Sequence, residues 1–266
     1  MKKVVRFERN GVVGIIVHAD GPQNFIDNAF VRDLREALVE ASASDIRALV
    51  IRSEGTNFGV GGNPAEWAGK DSNWFRTFLL EVCNLFKSIE ALRIPTFAAV
   101  NGRAAGGGYE FAQHCDFIVV EEDTVLHAPE TMVGMVPVAG GIQRMVAATG
   151  LTRAKRLLFF PEPIVGAKAV EYGLASHLAP KGELQEYTME LAQKVATGPT
   201  RAYIATKAML KTVTQTLIAD VLMAELTAEL YGSEDVRKTF ATLGSLSEEA
   251  LKKPEEVFKE LVFSGK

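Results

Sequence analysis

The segment Pro95-Thr-Phe-Ala-Ala-Val-Asn-Gly-Arg-Ala-Ala-Gly-Gly-Gly-Tyr-Glu110 constrains this chain more than any other stretch. The apolar run Thr96–Val100 reads as a buried strand. Asn101 to Gly108 is a Gly-rich loop, and a short helix is expected behind it, to about Cys115. Glycine has no Cβ, so a ligand can approach the backbone there. The N–H groups at a helix start lack internal partners and carry partial positive charge. The junction therefore suits an anion or a developing oxyanion. A P-loop would need a Lys-Ser/Thr pair after the glycines, and Tyr109-Glu110 stands there instead. The dinucleotide fingerprint G-x-G-x-x-G also fails, because the glycines fall at 102, 106, 107 and 108. A carboxylate in the first turn disfavours phosphate and fits an acid/base beside an oxyanion hole. A tight turn with a surface glutamate is the other reading of these residues.

The flanking pattern is α/β. Val4–Arg9 and Val12–His18 are β-rich runs joined at Asn10-Gly11, a hairpin signal. Asp27 is placed as an N-cap, with Phe30, Leu34, Ala37, Leu38 and Ala41 at helical spacing behind it. Ala48–Ile51 is a short strand. Trp74, Phe78, Val82, Leu85 and Ile89 mark one face of a longer helix, and Phe117–Val120 a further strand. From Leu184 the pattern is helical only, over 184–196, 200–213, 217–231 and 233–242. Two regions are expected: an α/β core with the active site over 1–183, and a helical carboxyl-terminal region over 184–266, packed on the core or on a neighbouring subunit.

Bulk properties remove several function classes. A net charge of −4 with scattered Lys and Arg disfavours nucleic acid. No run of about 20 apolar residues occurs, so no membrane span is expected, and no signal-peptide core forms near the amino terminus. The four histidines are far apart, which gives no metal-ligand spacing. Cys83 and Cys115 read as buried free thiols of a reducing, cytoplasmic compartment.

Two more segments carry chemistry. Phe58-Gly-Val-Gly-Gly-Asn-Pro64 follows a strand and could lend a second backbone N–H to the same oxygen; a plain turn is the alternative. In His127-Ala-Pro-Glu130-Thr-Met-Val-Gly-Met-Val-Pro137, Glu130 sits among apolar residues, which tend to raise a carboxyl pKa toward neutrality. A capping glutamate, or one paired with Arg144, is the alternative.

Taken in order, these segments resemble the crotonase (enoyl-CoA hydratase/isomerase) superfamily. Gly140-Gly141-x-Gln-Arg144 and Ile164-x-Gly-Ala-Lys-Ala-x-Glu-Tyr-Gly-Leu174 strengthen the likeness, which covers about residues 45–180. The resemblance implies a spiral of ββα units followed by a helical trimerisation region, assembled as a homotrimer or homohexamer. It implies oxyanion donors at Gly62 and Gly107 and catalytic carboxyls at Glu110 and Glu130. Gly61, Asn63, Gly106 and Pro129 would contact substrate. The substrate would be an acyl-CoA, with coenzyme A part of the substrate and no separate cofactor or metal. The implied reaction adds water to a 2-enoyl-CoA or removes it from a 3-hydroxyacyl-CoA. Isomerisation of an enoyl-CoA, or a weakly catalytic scaffold or RNA-binding role, are the rivals. Two positions depart from the family. Its early loop usually reads Ala-Gly-x-Asp, where this chain has Val60-Gly61-Gly62-Asn63 and then Pro64, which removes a charge and a backbone donor. No Lys or Arg lies between Arg9 and Arg32, where the family often carries a base for the CoA phosphates. That charge is expected from elsewhere, such as carboxyl-terminal lysines of a neighbouring subunit.

Overall fold

The computed structural model describes residues 3–68 and 70–210, with Glu234, Asp235, Lys238 and Ser264. The helices expected over 217–231 and 233–242 lie outside the described residues, apart from three helical positions, Glu234, Asp235 and Lys238.

The main sheet has six strands in the order β1-β2-β3-β4-β6-β9: β1 Val5–Asn10, β2 Val13–His18, β3 Ala48–Ser53, β4 Thr96–Val100, β6 Phe117–Val120 and β9 His177–Leu178. The β1–β2 hairpin is antiparallel, with Asn10 opposite Val13, so Gly11-Val12 form the turn. All other pairs in this sheet are parallel. Parallel strands are covered on both faces and read as continuous apolar runs, as β4 does with all five residues buried. Alternate residues serve two cores. Leu49, Ile51, Ala98 and Val100 join the large cluster with helices α1 (Asn28–Ala43) and α3 (Ser72–Ala91). Ala48, Val50, Phe97 and Ala99 pack instead against Leu184, Ala192 and Ala196 of α8 (Leu184–Ala196).

Local chemistry explains the helix starts. Asp27 accepts a hydrogen bond from Phe30 N at 3.0 Å, and Asp71 does the same for Trp74 N at 2.8 Å, each satisfying a donor that α1 or α3 leaves open. All five apolar positions expected on α1 are buried. Four of the five on α3 are buried, with Trp74 half-buried. Further along, α9 (Thr200–Leu210) is tied to the sheet by Arg47, which donates to Thr200 Oγ1 at 2.8 Å, and by the Lys207–Asp116 ion pair at 2.7 Å. Cys83 and Cys115 are free and half-buried rather than buried.

A second sheet was not foreseen. β5 (Arg103–Ala105) runs parallel to β7 (Val125–His127), which pairs antiparallel with β8 (Ile164–Val165). β5 lies inside the stretch expected as loop and leads directly into α4 (Gly107–Gln113). Beyond β7 come a 3₁₀ turn over Glu130–Val133 and helices α5 (Gly141–Thr149), α6 (Leu151–Phe159) and α7 (Gly166–Glu171). A one-turn helix, α2 (Pro64–Trp67), follows the earlier Gly-rich loop.

Candidate active site

The two Gly-rich segments are laced together by backbone. Ala105 N donates to Gly59 O at 2.9 Å, and Gly59 N to Arg103 O at 3.2 Å. On its other side the early loop is held by Ile26 N to Gly61 O at 2.9 Å and Val60 N to Gln23 O at 3.1 Å. It is therefore a fixed element and not a free turn. Gly106 takes φ +54° as the residue preceding α4, a backbone conformation that glycine adopts without a Cβ penalty. A Cβ on Gly61 would lie 3.3 Å from Gly107 N, so the two glycine pairs are in contact. Among the described residues, neither Gly62 N nor Gly107 N has a hydrogen-bond acceptor. Both residues line one cavity.

Glu110 enters that cavity from the first turn of α4. It is 3% exposed, and its Oε1 accepts from Ala139 N at 2.7 Å and from Gly141 N at 2.9 Å. Burial raises its carboxyl pKa; the backbone N–H groups of Gly141, Ala139 and Val138, and then Arg144, oppose that rise. Glu130 begins the 3₁₀ turn. Both its carboxyl oxygens are buried with no hydrogen-bond partner. Burial pushes its pKa up to about 7, and the charge of Glu110 adds to the rise. Glu130 Oε1 stands against Gly106, 3.5 Å from where a Cβ would be. Arg144 does not pair with Glu130. It pairs with Glu90 of α3, Nε donating to Oε1 at 2.9 Å, and so fastens α5 to α3.

The cavity measures about 290 Å³. Gly61, Gly62, Gly106, Gly107, Glu110, Pro129 and Glu130 all line it. Asn63 does not. Its Oδ1 accepts from Ala65 N at 3.1 Å and caps α2, so its side chain is spent on the turn. Pro64 is the first residue of α2, where the N–H it lacks would have had no helical partner. The departure in this loop thus costs no oxyanion donor. The lining residues that sequence reasoning missed are chiefly apolar: Ile26, Trp67, Phe75, Leu79, Val136 and Val138. Trp67 follows the glycine pair closely, and its indole covers Gly62 so tightly that a Cβ there would meet Cζ2 at 1.8 Å. An open cleft of about 600 Å³ shares Val60, Pro129 and Val133 with the cavity and brings Arg103 and His127 to its mouth. Arg103 is exposed, and His127 Nε2 is buried without a hydrogen-bond partner among the described residues. Also among them, no group of three His, Cys, Asp or Glu is placed to hold a metal, and no helix is long and apolar enough to cross a membrane.

A cradle of two free amides, flanked by one hydrogen-bonded and one unbonded carboxyl, is equipped to stabilise an enolate and move protons beside it. Comparison with known proteins gives the chain its family. The profile of the enoyl-CoA hydratase/isomerase family matches residues 8–243. The chain belongs to that family, within the crotonase superfamily, and is an enoyl-CoA hydratase-like enzyme that processes acyl-CoA thioesters. It is 31% identical over 218 residues to the 2,3-dehydroadipyl-CoA hydratase of Escherichia coli K12, covering 79% of this chain and 82% of that one. It is 32% identical over 174 residues to human mitochondrial methylglutaconyl-CoA hydratase, covering 64% of this chain and 51% of that one. The fold matches the crystal structure of an enoyl-CoA hydratase from Bacillus anthracis with a TM-score of 0.87 at 24% identity, over 99% of this chain and all of that one.

Proposed function

We propose that the enzyme adds water across a 2-enoyl-CoA thioester, or removes it from the 3-hydroxyacyl-CoA, through an enolate held by Gly62 and Gly107. The observation that carries this reading is the contrast between the two glutamates over the same pair of unused amides. The thioester oxygen accepts both N–H groups. These bonds strengthen as charge gathers on that oxygen in the transition state. Glu110, which the amides of Ala139 and Gly141 favour as a carboxylate, takes a proton from water as its oxygen bonds to the β-carbon. Glu130, with a pKa near 7, gives a proton to the α-carbon. Dehydration reverses both transfers. Coenzyme A takes part only as a portion of the substrate.

The tail of the thioester leaves through the cleft at the mouth, where Arg103 meets its phosphates. This is the charge that the segment between Arg9 and Arg32 lacks, and it comes from β5 of the same chain. Exposed Met132, Val133, Phe159 and Phe160 support assembly into a trimer or hexamer, because such apolar surface favours burial between subunits. A sizing column run at micromolar protein tests that; a clean monomer would contradict it.

The hydration reading is tested with crotonyl-CoA. Loss of the enoyl-thioester absorbance band, with 3-hydroxybutyryl-CoA as the product, is expected. A 3-enoyl-CoA run in parallel distinguishes isomerisation. No turnover of any enoyl-CoA would leave the scaffold role standing.

A further inference from the structure

Among the described residues, no charged side chain apart from Glu110 and Glu130 lines the acyl cavity. Its wall is aromatic and aliphatic. Trp67 stands nearly edge-on to Phe75, ring centres 5.0 Å apart, and packs against Phe78 at 6.1 Å. Phe78 in turn stacks on Trp74 at 5.3 Å. This cluster begins beside the oxyanion cradle, because the Trp67 indole lies directly over Gly62. A chain whose carbonyl rests on the Gly62 N–H must therefore run along that indole. An apolar chain gains contact area there. A chain ending in a carboxylate would bring a second anion into a cavity that already holds two carboxyls and, among the described residues, no cation. Stripped of water and left unpaired, that group is strongly disfavoured.

We infer that the enzyme takes thioesters with uncharged, apolar acyl groups, and that Trp67 sets the size of the group admitted. This rests on the acyl-thioester reading of the cavity and narrows it. It separates the chain from relatives named for 2,3-dehydroadipyl-CoA and methylglutaconyl-CoA, names that denote acyl groups ending in a free carboxylate.

Binding tests this without requiring turnover, so its failure and the failure of the hydration reading are told apart. Calorimetric titration compares hexanoyl-CoA with adipyl-CoA, which have equal chain length and differ by a terminal carboxylate. Hexanoyl-CoA is expected to bind at least about 100-fold more tightly. A preference below about tenfold, or a reversal, overturns the inference. Trp67→Leu and the milder Trp67→Phe test the size role. In Trp67→Leu the affinity ratio of decanoyl-CoA to butyryl-CoA is expected to rise about tenfold, with Trp67→Phe between it and wild type. An unchanged ratio in both removes Trp67 as the determinant. The chain has two tryptophans, so Trp74→Phe leaves the Trp67 indole as the only one. Hexanoyl-CoA should then shift its emission while free coenzyme A does not. If neither ligand shifts it, the acyl group lies elsewhere and the inference falls.

Discussion

Glu110 and Glu130 face one cavity from opposite kinds of wall. Around Glu110 every element is joined by backbone hydrogen bonds: β5 to the early loop, the loop to Ile26, and the carboxyl itself to Ala139 and Gly141. Around Glu130 the wall is apolar and the carboxyl oxygens bond to nothing. Amides favour the charged form, and dry burial favours the neutral one. In the proposed reaction one side chain type thus serves as base on one wall and as acid on the other.

The largest expected effect tests whether both walls are needed. Glu110→Gln and Glu130→Gln should each lower hydration by roughly 10²–10⁴ in steady-state assays, since each keeps its shape and loses a proton carrier. Near wild-type turnover in either variant would remove that residue from the division of labour.

Stability should separate the walls next. Glu110→Ala leaves the Ala139 and Gly141 N–H groups buried without an acceptor and should cost about 1–3 kcal/mol by urea denaturation. Glu130→Gln should do the reverse at pH 8, raising Tm by about 2–4 °C. The sign follows from the shift: Glu130 has a pKa of about 7 in the fold against a reference of 4.5. The folded form therefore binds the proton more tightly, and stability falls as pH rises through that window. The advantage of glutamine should grow from pH 5 to pH 8. If both variants move stability the same way, the contrast between the walls is wrong.

A smaller effect sharpens the assignment of the acid. With Glu130 as proton donor, kcat/KM for hydration should fall about tenfold per pH unit above about 7, and this limb should vanish from the residual activity of Glu130→Gln. Hydration takes up no net proton, so its equilibrium constant does not change with pH and kcat/KM for dehydration should fall across the same range. A limb that persists unchanged in Glu130→Gln would assign it to another group.

The smallest effect lies outside both walls. Arg103→Ala should raise KM for an acyl-CoA by about 3–10-fold, as for the loss of a partly exposed charge contact, and leave KM for the matching acyl-pantetheine unchanged. Equal effects on both thioesters would put Arg103 in a structural role.

Much of this could be read before folding. The caps Asp27 and Asp71 differ here: the first was legible because a clean helical stripe follows it, and the second was hidden behind a Gly-rich stretch. The three glycines and Glu110 were legible because backbone exposure and a first-turn carboxylate are local properties. The second sheet was not, since strands of three, three and two residues show no periodicity. The different settings of the two glutamates were only half visible. Apolar neighbours of Glu130 are written in sequence, but the amides that hold Glu110 come from 29 and 31 residues away. Asn63, expected from the resemblance to contact substrate, spends its side-chain oxygen on Ala65 N, a local bond that the resemblance does not show. Trp67 was missed for a converse reason: an aromatic in a short helical turn reads as ordinary core.

The fit of the Trp67 indole over Gly62 also restricts how such an enzyme can change over generations. With Cζ2 only 1.8 Å from the site of a Cβ, even alanine at position 62 collides with a ring wedged among Phe75 and Phe78. The ring must shrink first, and if Trp67 sets the acyl group admitted, that step alone opens the cavity to other chains. On that reading a lineage leaving this arrangement passes through broadened substrate use before it can place a larger residue at position 62, and a lineage arriving at it must first have placed glycine there. The order of the two substitutions is imposed by a single contact.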